Sequence, residues 1–340
     1  MFRSVLGAIS NEMAIDLGTA TTRIAVAGRG LVCAEASAVA IHEVRGARRI
    51  LAVGEAALEM LGRTPPEIRV VRPIIDGMLS DFEIAEAMLR HLMLQVQGRT
   101  LWVGPRVTVC VPYNTIDMEK RAIRKLMEAA GAREVRMVEQ PIAAAVGAEL
   151  PIDEAQGHMV VDVGAGTSEV GVISLGGVVY SRTVKVGGER MDRAIIRHIR
   201  AEHGLLIGPR TGEQLKCELG SAMPVRRPAV REVKGRDIKS GYPRAVEVTA
   251  QEIYEALRSP VQLIIDAVRA SLEHTPPELA ADVAQTGIVM TGGGAMLSRL
   301  DRCLSETTGL PVIVPEDPDI VLVKGALRCD EPRPGHAVAG

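Results

Sequence analysis

The sequence predicts an α/β fold of two similar lobes, each a sheet flanked by helices, and three stretches carry that prediction. In residues 160–172 an apolar run delivers one acid, Asp162, into the turn Gly164-Ala165-Gly166, and Thr167-Ser168 then leads into a second apolar run. Residues 13–26 repeat this grammar around Asp16, Gly18, Thr19, Ala20, Thr21 and Thr22, so that the two aspartates lie 146 residues apart. In residues 288–297 a third apolar run meets Gly292-Gly293-Gly294, and Ala295-Met296 opens a helix. Each of the first two reads as a hairpin whose turn brings the backbone close to something.

The chemistry of that pattern is specific. Successive N–H groups in a glycine turn form an anion-binding concavity. An Asp just before the turn can hold a divalent cation directly or through water. Together they suit a Mg-phosphate. A single such stretch reads equally well as an ordinary glycine-rich hairpin; the repeat and the third motif favour two phosphate hairpins facing one cleft. The triple glycine lets a flat ring or a phosphate approach the backbone and a helix N-terminus.

At 340 residues the chain has room for two domains with sizeable cores. Hydrophobic residues at 47% and charged residues at 24% describe a soluble globular protein. A net charge of −2 argues against a general nucleic-acid binder. Cys33, Cys110, Cys217, Cys303 and Cys329 are odd in number and scattered, which suggests neither a disulfide framework nor a zinc site and fits a reducing cytoplasm. No apolar run reaches membrane-spanning length, and the first nine residues lack a continuous signal-peptide core.

The order of motifs resembles the actin-like ATPase superfamily of actins, chaperone ATPases and sugar kinases. Within it the chain is most similar to MreB, the family of bacterial cell-shape actins. The resemblance covers about residues 1–328 and rests on collinear segments. They include Ile15-Asp16-Leu17-Gly18-Thr19-Ala20, Leu61-Gly62-Arg63-Thr64-Pro65, Arg72-Pro73, Asp76-Gly77, Cys110-Val111-Pro112, Tyr180-Ser181-Arg182, Val186-Gly187-Gly188, Leu206-Ile207-Gly208 and Val233-Lys234-Gly235-Arg236-Asp237. It implies a ribonuclease H-like duplication around a nucleotide cleft. Lobe I would span 1–147 with a small insertion at about 33–65, and lobe II 148–325 with one at about 181–240. Residues 326–340 would return to lobe I and end in a disordered tail.

Taken in order, Met1, Phe2, Val5, Leu6 and Ile9 fall at helical spacing. They form either a lead-in packed on the core or an amphipathic foot in the membrane interface, the second supported by the resemblance. Asp16, Gly18, Thr19, Ala20 and Thr21 then cradle phosphate, with Asp16 reaching the metal through water; the family typically has Asn where this chain has Thr21. Residues 83–97 keep a helical apolar face. The loop Leu101-Trp102-Val103, beside Arg99 and Arg106, holds the only Trp. It is either a core-covering tip or a membrane insertion, since Trp with Arg suits the interface. Residues 117–130 read as a helix, on which Met118 matches a family contact between antiparallel protofilaments.

Small residues at 141–148 permit close helix packing at a hinge. By the resemblance Gln140, just before Pro141, orients the attacking water where the family usually has Glu. Glu can accept a proton, whereas Gln aligns water by hydrogen bonds only, so hydrolysis persists at an altered rate. In the second hairpin Asp162 is nearest the Mg2+, Gly164, Ala165 and Gly166 cradle phosphate, and Thr167 helps to hold the water. Gly187-Gly188 opens a helix near the phosphates, where helix N–H groups favour an anion. Thr211 caps the next helix. Glu213 and Lys216 on it form either a surface salt bridge or, by the resemblance, the grip on ribose and adenine. Residues 224–244 carry seven basic residues against two acidic and read as a solvated or filament-contact edge. Residues 249–272 form a long helix interrupted at Pro260. Gly292, Gly293, Gly294 and Met296 line adenosine.

These readings converge on an ATP/ADP- and Mg2+-dependent ATPase that assembles with itself into filaments. It would lie on the cytoplasmic face of the membrane with shape and wall-synthesis proteins as partners and no nucleic acid. A non-polymerising nucleotide-gated scaffold is the alternative. A small-molecule kinase is a further one, although no substrate-binding insertion or general-base Asp is visible.

Overall fold

The computed structural model describes residues 12–44, 47–97, 104–226 and 229–329. Phe2, Val5, Leu6, Ile9, Leu101, Trp102 and the tail 331–340 lie outside the described residues. The chain divides into two compact units, Met1–Ile152 with Ile320–Gly340, and Asp153–Asp319.

The first unit is built on a five-stranded sheet ordered Glu134–Glu139, Arg106–Val111, Glu12–Leu17, Thr21–Val26, Gly30–Ala36. The last three form an antiparallel meander, and the first two run parallel to Glu12–Leu17. Met13, Ala14 and Ile15 are buried in succession, as a central strand covered on both faces requires. Helix Phe82–Gln97 buries Ile84, Ala85, Met88, Leu89, Leu92, Met93 and Val96, the expected apolar stripe. That stripe meets Leu126 and Met127 of helix Asp117–Ala130 in one core. A separate three-stranded sheet places Val39–Val44 between Ala47–Val53 and Ile68–Val71.

The second unit repeats the plan. Its sheet is ordered Gly177–Val184, Ser168–Ser174, His158–Val163, Ile288–Thr291, Val312–Ile313. Again three antiparallel strands are followed by two parallel ones. His158–Val163 is buried at every position. The small sheet here is Leu205–Leu206, Val230–Asp237 and Pro243–Thr249.

Three boundaries differ from expectation. Helix Ala250–Glu273 runs through Pro260, because Leu257, Pro260, Val261 and Ile264 are buried together and that packing outweighs one missing backbone bond. Helix Pro209–Leu219 starts two residues before Thr211, with Gly208 at the cap and Pro209 in the first turn, where a missing N–H costs nothing. The chain rejoins the first unit at Ile320, not 326, since Val321–Arg328 is one helix. It crosses helix Gln140–Gly147 so closely that a Cβ on Gly147 would overlap the Val321 carbonyl, and one on Gly325 the Ala143 carbonyl.

Candidate functional site

In the first unit the turn Gly18–Ala20 closes the hairpin of Glu12–Leu17 and Thr21–Val26. Asp16 is buried and faces Arg23 in register, with Nη1 3.9 Å from Oδ2. The Gly18 position has no room for a side chain: a Cβ would stand 2.5 Å from the Thr21 carbonyl oxygen. Ser37 fixes the turn from behind, donating its hydroxyl to the Gly18 carbonyl at 2.7 Å and bonding Thr22 Oγ1 at 2.8 Å. Thr19 is buried, and its hydroxyl accepts the Gly77 amide at 3.1 Å. Gly77 and Asp76 form a left-handed turn, with φ of 75° and 50°. The amides of Thr19 and Ala20 find no backbone acceptor among the described residues. Ala20 and Thr21 are half-buried at the tip.

In the second unit Asp162 is buried and accepts the Thr291 hydroxyl at 2.9 Å. Its cross-strand neighbour is Glu169, only 2% exposed, which accepts Ser181 Oγ at 3.2 Å and Thr183 Oγ1 at 3.3 Å. Directly paired residues share a sheet face. Thr291, Asp162, Glu169 and Thr183 therefore form one polar row across four strands. The Gly164 amide closes the turn onto the Thr167 carbonyl at 2.9 Å. The amides of Ala165 and Gly166 find no backbone acceptor among the described residues.

The start of helix Gly188–His203 corrects one expectation. Its amides do not face an open anion site there: Gly188 N–H donates to the Gly164 carbonyl at 3.0 Å and Glu189 N–H to the Ala165 carbonyl at 2.9 Å. The double glycine is needed for this docking, since a Cβ on Gly187 would overlap both carbonyls. The triple glycine also divides by role. A Cβ on Gly292 (φ 83°) would overlap the Val163 carbonyl and one on Gly294 the Val163 side chain, whereas Gly293 faces open space. Met296, 63% exposed, stands beside it.

Lys216 does not pair with Glu213. Its Nζ lies 2.8 Å from Asp192 Oδ1 and donates to the Gly188 carbonyl at 3.3 Å. Glu213 is half-buried on the same helix. Burial pushes the Asp192 carboxyl up to about 6, against the pull of Lys216.

Gln140 is the first residue of helix Gln140–Gly147, half-buried where strand Glu134–Glu139 ends. Met118 is 72% exposed beside exposed Ile116. No helix among the described residues is long and apolar enough to cross a membrane.

Among the described residues no group of three or more His, Cys, Asp or Glu could hold a metal ion. Mg2+ does not require such a group, since it is held by one or two carboxylates together with phosphate oxygens and water, and each hairpin offers one buried Asp. A buried Asp beside open turn amides fits a Mg-phosphate in each hairpin. The sequence gives no signal for Ser37. Arg23, Gly77, Asp192 and Thr291 lie in or next to the recognised glycine motifs and matching segments, but their sequence positions do not reveal these roles.

The family model described as MreB/Mbl protein matches residues 10–334. The chain is 49% identical over 328 residues to the cell shape-determining protein MreB of Escherichia coli K12, covering 96% of this chain and 94% of that protein. It is 42% identical over 322 residues to the cell shape-determining protein Mbl of Bacillus subtilis, covering 94% and 96%. Among solved structures, MreB5 of Spiroplasma citri bound to AMPPNP superposes with a TM-score of 0.88 at 33% identity, covering 93% of this chain and 94% of that one. A MamK double helical filament gives 0.80 at 22% identity, covering 96% and 100%, a likeness of fold alone. The fold is the expected actin-like one.

Proposed function

The chain belongs to the MreB/Mbl family, and from that premise we propose that it is an ATP-hydrolysing cytoskeletal protein. It polymerises into membrane-associated, antiparallel double filaments that organise cell shape and wall synthesis. The observation that carries this reading is the repeated sheet, each copy ending in an Asp-bearing hairpin with open amides at its turn. Two such hairpins gripping one triphosphate give both copies the same use for a buried carboxylate and a glycine turn. The AMPPNP- and ADP-bound MreB5 structures support nucleotide as the ligand. The curated names of the relatives support the role in shape.

Asp162 holds the metal side of the phosphates, and Asp16 reaches it through water. Mg2+, when bound, neutralises phosphate charge. Thr167 and Gln140 align the attacking water; Gln140 acts by hydrogen bonds and takes no proton. Glu213, Lys216, Gly293 and Met296 line the nucleoside. Binding closes the two lobes in the polymer-competent conformation, which hydrolysis then disfavours. Phe2, Val5, Leu6, Ile9, Leu101 and Trp102 anchor the filament on the inner membrane face, weakly per subunit and firmly in sum. Met118 lies in the contact between protofilaments.

Electron microscopy of the full chain with Mg-ATP, with and without anionic liposomes, tests the reading. Paired antiparallel filaments lying on lipid are expected. ATP binding with no filament on lipid or in solution would overturn it in favour of a nucleotide-gated scaffold. Deleting residues 2–9 and changing Leu101 and Trp102 should release the filaments from lipid without abolishing them.

A further inference from the structure

We propose that Asp192 is a positioning residue for nucleoside recognition, acting through Lys216. This rests on the nucleotide reading above. The two residues come from adjacent helices, Gly188–His203 and Pro209–Leu219. Lys216 Nζ forms an ion pair with Asp192, 2.8 Å from Oδ1, and donates to the Gly188 carbonyl at 3.3 Å. An ammonium has three donors; the Gly188 carbonyl takes one and the ion pair holds the head in place, which leaves donor capacity for a ligand acceptor. Both side chains are largely buried, 16% exposed for Lys216 and 14% for Asp192. Gly188 makes the room: a Cβ there would stand 3.1 Å from Nζ. A lysine left to itself samples many rotamers and loses that freedom on binding. Held by Asp192 it is already placed, which is how preorganisation raises affinity.

The electrostatics point the same way. The charged groups acting on Asp192 are Lys216 and Glu213 from helix Pro209–Leu219 and Glu189 from its own helix, and the Cys217 thiol of helix Pro209–Leu219 also feels the Asp192 charge. Burial raises the Asp192 pKa to about 6 in spite of the cation beside it. At neutral pH the carboxylate is thus kept ionised in a place that disfavours its charge, a pattern found where a group is retained for function. As the pH falls through 6 the carboxylate gains a proton and its hold on Lys216 slackens.

A simple prop between two helices would show the same contacts, so the test separates prop from positioner. Affinity of the full chain for Mg-ATP and for Mg-tripolyphosphate, which has no nucleoside, is measured at pH 7.5 and 5.5. The parent is compared with Asp192→Asn, Lys216→Met and the double variant. Asp192→Asn should weaken ATP about tenfold, the scale of one charge-assisted hydrogen bond, and leave tripolyphosphate unchanged. The double variant should be no weaker than Lys216→Met alone. Relative to tripolyphosphate, ATP affinity of the parent should fall at pH 5.5, and that of Asp192→Asn should not. Asp192→Glu, which keeps the charge, should recover most of the loss. Equal loss of both ligands, additive losses in the double variant, or a parent ratio indifferent to pH would overturn the proposal. A parent that binds neither ligand would instead overturn the nucleotide reading itself.

Discussion

In the first hairpin Asp16 faces Arg23; in the second Asp162 faces Glu169. The backbones follow one plan, with the same strand order and a glycine turn directly after the strand. The charges do not. The Arg23 guanidinium offsets Asp16 within its own unit, whereas Asp162 has a second buried carboxylate beside it, and three hydroxyls, of Ser181, Thr183 and Thr291, donate to the two. The plan of sheet and glycine turn occurs twice, and one cross-strand position makes the two copies unequal. On the proposed reading, the second hairpin, with two buried carboxylates side by side, would lean more on a divalent cation than the first, where Arg23 stands beside Asp16.

The largest expected effect tests that inequality. Asp162→Asn should lower phosphate release from Mg-ATP by about a hundredfold or more, and Asp16→Asn by about tenfold. Equal losses would break the comparison. Next come the turns. A Cβ at Gly18 would stand 2.5 Å from a backbone oxygen, against 3.1 Å at Gly164. Gly18→Ala should therefore cost about 2 kcal/mol and Gly164→Ala less than about 1 kcal/mol, read from urea unfolding midpoints. Reversal of that order would show that the turns are not built alike.

Smaller effects follow from the facing residues. Arg23→Gln should destabilise the fold by about 1 kcal/mol, since it leaves Asp16 without its cation. Glu169→Gln should leave stability level or raise it while weakening the dependence of ATP binding on Mg2+. If both changes destabilise alike, charge is not what separates the hairpins. The smallest effect is a pH dependence at Asp192. Its folded pKa of about 6 lies above the unfolded value, so its contribution to stability grows as pH falls from about 6 towards 4. Between pH 7.5 and 5, the unfolding free energy of the parent should improve by about 1 kcal/mol relative to Asp192→Asn.

Much of this was legible in the chain. An acid between an apolar run and a glycine turn identifies a strand end, and finding it twice identifies the repeat. The stripe of helix Phe82–Gln97 reads directly from spacing. Partners across space do not. Periodicity tells which face a residue takes, but the pairing of Asp16 with Arg23, or of Asp162 with Thr291, depends on register and on which strands become neighbours. Lys216 had an acid three residues away in sequence, yet its partner comes from another helix. The glycines misled in a related way. Gly187, Gly292 and Gly294 are required by the protein's own packing, and only the fold distinguishes that need from room for a ligand. Pro260 reads as a break in sequence because local propensity is visible there and the burial that overrides it is not.

Titration calorimetry of the full chain with ATP and Mg2+ probes the duplication most directly. Two half-sites gripping one nucleotide predict a stoichiometry of one ATP per chain. Asp16→Asn and Asp162→Asn should each weaken that single transition, Asp162→Asn by more. Two independent binding events per chain, or a transition indifferent to either substitution, would contradict a shared site and leave the repeated hairpins without a common ligand.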